Sequence, residues 1–143
     1  MDEEFLDIPT IFKEIKDKID PLYGKHIACD EGWHHLVAKC HLEMMEIDPN
    51  YKIYQIKEKF GGLRYYFDTK LDYMSEYRMF QITSKYELLS QETCEKTGKP
   101  GNLKYKQGLY KTLSQDFEKE GWVSAEEIKY EKLFGNNPNA TNQ

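Results

Sequence analysis

Apolar residues recur every three or four positions at the start of the chain, and that spacing predicts helices. Ile8, Ile11, Phe12, Ile15 and Ile19 form one such stripe. Asp7 precedes it as an N-cap, Pro9 falls in its first turn, and Asp20-Pro21 stops it. A second helix starts near Asp30, with Trp33, Leu36, Val37, Cys40, Met44 and Ile47 as its apolar side. Over residues 51–60 the period drops to two: Tyr54, Ile56 and Phe60 alternate with Gln55, Lys57 and Lys59. Gly61-Gly62 reads as a two-residue hairpin turn, and Leu63 to Phe67 as the return strand. Phe60 and Leu63 flank that turn and are expected in the core. A third helix spans about 71–89, with Tyr73, Tyr77, Phe80, Ser84 and Leu88 near one face. A turn-rich stretch, Thr93 to Gly101, leads to a second hairpin, Asn102–Lys106 and Leu109–Leu113, turning at Gln107-Gly108. Ser124 and Glu127 have capping-box spacing for a last short helix.

These elements predict a single α+β domain over residues 1–134, three to four helices packed on two β-hairpins. Residues 135–143 (GNNPNATNQ) form a polar tail that is expected to be disordered. The alternation of helices with hairpins argues against a parallel sheet built from βαβ crossovers. At 143 residues, with 14% aromatic residues and 11 Tyr, the chain can fill one core. No apolar run is long enough to span a membrane. Three cysteines, an odd number, do not make a disulfide framework. The acidic start MDEEFLD is unlike a secretory signal, so the expected location is cytoplasmic, the host cytoplasm if a phage encodes the chain.

The net charge of −5 conceals an uneven distribution. Residues 1–50 carry 12 acids and 5 bases; residues 51–70 carry 5 bases and 2 acids; residues 93–113 carry 5 bases and one acid. The acidic total argues against bulk nucleic acid as a partner. Two basic hairpins in an acidic chain can still form a local patch. The plainer account is that their lysines keep sheet edges soluble.

Three segments carry candidate chemistry. In Lys57-Glu58-Lys59-Phe60-Gly61-Gly62-Leu63-Arg64-Tyr65-Tyr66, the cations Lys57, Lys59 and Arg64 alternate, so one hairpin face can present them to a phosphate or planar anion. Gly61 and Gly62 permit a close backbone approach or a tight turn, and Tyr65 adds an aromatic surface. In Thr93 to Gly101, Cys94 stands where a zinc knuckle begins, but Thr97 occupies the second thiolate position. Ser114 and Phe117 stand where a second ligand pair would follow. One ligand of four cannot hold structural zinc, so no metal and no cofactor are expected; Cys94, Thr97 and Ser114 mark a vestigial site. Cys29, His34, His35, Cys40 and His41 crowd around the second helix without metal-ligand spacing, which reads as partly exposed histidines and a buried thiol. Trp33 and His34 are further candidate binding residues.

These segments resemble a small uncharacterised family of bacterial and phage proteins. Its members share a Cys-x-x-Gly-Trp opening (here Cys29 to Trp33), a central Lys-Glu-Lys-Phe-Gly-Gly-Leu-Arg motif (Lys57 to Tyr66), and a closing zinc ribbon, here degenerate at Thr97, Ser114 and Phe117. The resemblance covers roughly residues 29–117 and implies a metal-less zinc-ribbon-like second hairpin. It implies no reaction. It suggests a phage or mobile-element setting and a non-enzymatic binding module, such as a counter-defence protein capturing a host or phage protein or a phosphate-bearing, nucleotide-like ligand. The alternatives are a small hydrolase or transferase using His34 and His35, and an immunity-type partner acting through acidic helices. Membranes are not an expected partner, and the oligomeric state stays open.

Overall fold

A computed structural model describes residues 5–128. Helix α1 spans Ile8–Lys18, with the Asp7 carboxylate accepting from the Thr10 N–H at 3.3 Å. Pro9 sits in its first turn, where a missing N–H leaves nothing unpaired. Strand β1 is Ile27–Ala28, α2 is His34–Ile47, β2 is Lys52–Lys59 and β3 is Gly62–Asp68. Helix α3 is Tyr73–Ser90, capped by Asp72. Strands β4 (Asn102–Lys106), β5 (Leu109–Leu113) and β6 (Val123–Ser124) follow. The chain is helical again over 125–128. The tail expected to be disordered lies outside the described residues.

The architecture is α+β, with two three-stranded sheets ordered β1-β2-β3 and β5-β4-β6. The core lies between α1, α2 and the inner face of the first sheet. Ile11, Ile15, Leu36, Val37, Cys40 and Met44 meet Ile53, Ile56, Leu63 and Tyr65 there, all buried. Helix α3 lies along β3 (the free edge of that sheet) and satisfies it: the Leu63 N–H donates to Ser90 Oγ at 2.9 Å.

Five expectations need correction. Strand β1 runs parallel to β2, with Ile27 beside Ile56, so α2 bridges a short parallel pair that two residues are too few to announce. The first hairpin turns at Phe60-Gly61, not Gly61-Gly62, because Lys59 pairs with Gly62. Both turn residues are left-handed, φ 53° and 83°, as a type I′ turn requires. That position lifts Phe60 off the sheet and leaves it 70% exposed, outside the core; Leu63 is buried. Helix α2 begins at His34 rather than near Asp30, because Glu31–Trp33 forms a single 3-10 turn ahead of it. Finally, the face of α3 carrying Tyr73, Tyr77, Phe80 and Leu88 points away from the core, and Met79, Tyr86 and Ser90 are its buried positions.

Candidate functional site

The three motif segments meet at one place, the joint between the two sheets. The Gly32 N–H donates to the Glu95 carbonyl at 2.7 Å, and the Trp33 indole N–H to the Thr93 carbonyl at 2.8 Å. The buried Glu95 carboxylate accepts from the Asp30 N–H at 3.0 Å. Lys111 bridges Glu95 at 3.4 Å and Glu58 at 3.3 Å. Glu58 in turn accepts from the Gly61 N–H at 2.8 Å, and Thr112 donates to the Gly61 carbonyl at 2.6 Å. Burial raises the Glu95 pKa, although the Asp30 N–H and Lys111 act against it. Burial opposes the charge on Lys111, but Glu95 and Glu58 outweigh it and raise its pKa. A Cβ on Gly32 would overlap the carbonyl oxygens of Cys94 and Glu95, and one on Gly61 would overlap Leu103. The glycines therefore serve close approach between segments. Trp33 is fully buried in this joint and offers no surface to a ligand.

Cys94 lies beside it. The Thr97 hydroxyl and the N–H groups of Ser114, Thr97 and Lys96 are the polar groups that favour its thiolate. Burial pushes its pKa up, yet these donors outweigh burial and hold it below the usual thiol value. Backbone N–H groups facing a sulfur are what a zinc knuckle supplies. The donor set does not fit the metal, however: Thr97 spends its hydroxyl on the thiol, and the Ser114 hydroxyl lies 3.1 Å from the Asp116 carboxylate. No group of three or more metal-binding side chains occurs among the described residues.

The cationic residues occupy the outer face of β2 and β3. Lys57 stands opposite Arg64, and Gln55 opposite Tyr66, two residues along the same face. Arg64 donates to Glu87 on α3 at 2.7 Å, so its charge is already matched. No ion pair of a described residue involves Lys57 or Lys59. A bulge at Tyr54-Gln55 places two β2 residues beside Tyr66. There Tyr23, Tyr54, Gln55, Tyr66, Phe67 and Phe80, with one edge of Tyr65, line an open groove of about 500 Å³. Tyr23 meets Tyr54 edge-on at 5.5 Å, and Phe67 meets Phe80 at 4.8 Å. Desolvation and then the Asp68 carboxylate raise the pKa of Tyr54. The Asp68 and Asp20 carboxylates act on Tyr54, and Lys57 follows Gln55 two residues along the same face of β2. Gly61 and Gly62 shape the hairpin end without facing the groove.

His34, His35 and His41 have three different surroundings. His34 packs on Phe12 at 4.8 Å between ring centroids, and His35 is half-buried, with its pKa lowered by burial and by Lys39. His41, expected to be partly exposed, is fully buried. It lies within 2.8 Å of the Tyr51 hydroxyl and 3.0 Å of the Glu14 carboxylate, and Tyr51 lies 2.7 Å from the Tyr65 hydroxyl. Sequence reasoning missed this chain and the groove alike. The nearest signal for the groove was the tyrosine content of the central motif. No family model matches this chain, and neither does any curated protein or solved structure.

Proposed function

We propose that this chain is a non-enzymatic binding module that holds a planar, phosphate-bearing ligand of nucleotide type on the outer face of its first sheet. The observation that carries the reading is the aromatic groove continuing into an unpaired cation. Two residues of strand separate the Gln55/Tyr66 pair from the Lys57/Arg64 pair, roughly 6.6 Å. That spacing suits a base stacked on Tyr54 and Tyr66 with its phosphate beside Lys57. Lys59 extends the positive face, while Arg64 braces α3 through Glu87 and contributes as a strut. A metal-less zinc-ribbon-like second hairpin belongs to the same reading, supported by the N–H cradle around Cys94. So does a phage or mobile-element role in which ligand capture counters a host response. No helix among the described residues is long and apolar enough to cross a membrane.

Calorimetric titration with adenosine, AMP, ADP and inorganic phosphate tests the proposal. AMP or ADP should bind more tightly than either adenosine or phosphate. Tyr66→Ala and Lys57→Ala should each weaken that binding about tenfold, the equivalent of about 1.4 kcal/mol. Equal affinity in wild type and both variants, or no binding by any nucleotide, would sink the reading.

A further inference from the structure

The outward face of α3 goes beyond the groove. Tyr73, Met74, Tyr77, Phe80, Leu88 and Leu89 are between 41% and 77% exposed on this single helix. Their spacing forms a stripe along most of its 18 residues, roughly 27 Å. Isolated apolar residues on a surface are ordinary, but two apolar clusters on one helix face, Tyr73 to Phe80 and Leu88-Leu89, with only Gln81, Ser84 and Lys85 between them, mark an interface.

We infer that two copies of this chain form a two-fold dimer through this stripe, with their α3 helices antiparallel. A two-fold axis at the midpoint between Phe80 and Gln81 brings the two ends of the stripe together. Antiparallel pairing sets Tyr73 over Leu88 of the second copy, Tyr77 over its Ser84 and Phe80 over its Gln81. Each large ring then faces a smaller or more flexible side chain, so two identical helices interdigitate. Charge selects the same direction. Lys70 lies exposed just before α3 and Glu92 just after it. Antiparallel helices bring each Lys70 towards the other copy's Glu92, whereas parallel helices would set like charges side by side. The area is sufficient. Each of the six apolar side chains leaves on the order of 100 Å² in water, so complete burial on both copies would remove at most on the order of 1,200 Å², the lower edge of specific interfaces. The dimer should therefore form reversibly.

Phe80 belongs to both the stripe and the groove, whereas Lys57 lies off the stripe. The two proposals can therefore fail separately. Sedimentation velocity on the full chain should show a monomer–dimer equilibrium that shifts to dimer as protein rises towards about 100 µM, an affinity typical of an interface this small. Tyr77→Glu and Leu88→Glu should each give monomer at every concentration with an unchanged circular dichroism spectrum, and Lys57→Ala should leave the dimer intact. Under mild oxidation, Tyr73→Cys protein mixed with Leu88→Cys protein should give the mixed disulfide, and neither alone should give a dimer. A chain that stays monomeric throughout overturns the inference. So does a dimer that both Glu variants leave intact, or one in which Leu88→Cys cross-links to itself.

Discussion

Replacing Tyr51 with phenylalanine removes one oxygen atom and breaks two buried hydrogen bonds. The Glu14 carboxylate can only accept, so His41 must carry its proton on Nε2 and accept on Nδ1. Tyr51 therefore donates to His41, and Tyr65 donates to Tyr51. In Tyr51→Phe, the His41 Nδ1 loses its donor and the Tyr65 hydroxyl its acceptor, both among residues no more than 5% exposed. Each orphaned group costs on the order of 1–3 kcal/mol, so the variant should lose about 2–6 kcal/mol. Tyr65→Phe removes only the end of the chain and should cost about 1 kcal/mol. The double variant should cost less than the two single ones together, because the orphaned Tyr65 hydroxyl is then gone. Urea unfolding followed by the fluorescence of buried Trp33 measures all three. If Tyr65→Phe proves as damaging as Tyr51→Phe, the assigned direction of the chain is wrong.

The same chain sets a pH dependence. Burial lowers the His41 pKa, with Glu14 offsetting part of the effect. Protonated His41 would donate from Nδ1, Tyr51 would have to donate to Tyr65, and the Tyr65 hydroxyl would lose its acceptor. An unfolded histidine titrates near 6.5 and the folded one lower, so the unfolded chain binds more protons between those values. This contribution to stability is present above about pH 6.5 and falls as pH drops from there towards the folded value. His41→Gln should flatten that limb of the stability profile.

Three further outcomes are expected. Gly32→Ala should lose about 3 kcal/mol or more in urea titration, because its Cβ overlaps two backbone carbonyls; a loss under about 1 kcal/mol would mean the joint between the sheets yields easily. Phe60→Asn should raise the unfolding free energy by about 0.5–1 kcal/mol, since asparagine suits the left-handed turn and Phe60 is largely exposed; a large loss would return Phe60 to the core. Excess chelator should leave the melting temperature unchanged, because one thiol cannot hold structural zinc, and a marked drop would reveal a metal site.

Local pattern alone determined that two hairpins exist, the strands of the second one to the residue, the cap and extent of α1, and the C-terminal stop of α2. Those features depend on side chains within a few positions of one another. Asp7 reaches Thr10, and Gln107-Gly108 closes β4 on β5 with φ of 51° and 87°. Tertiary structure decided which face of α3 is buried. An apolar stripe at helical spacing shows that Tyr73, Tyr77, Phe80 and Leu88 share a side, not what lies opposite. The free edge of β3 needed a donor's partner, so Ser90 turned inward to accept from Leu63, and Tyr86 turned inward to donate to Glu43. Tertiary structure also decided what the motifs are for. Asp30, Glu58, Glu95 and Lys111 come from four separate stretches of chain, and their ion pairs exist only once the sheets have docked. The groove formed for the same reason: Tyr23, from the short 3-10 turn Pro21–Tyr23, the β2 bulge and Phe80 of α3 become neighbours only when these segments pack together.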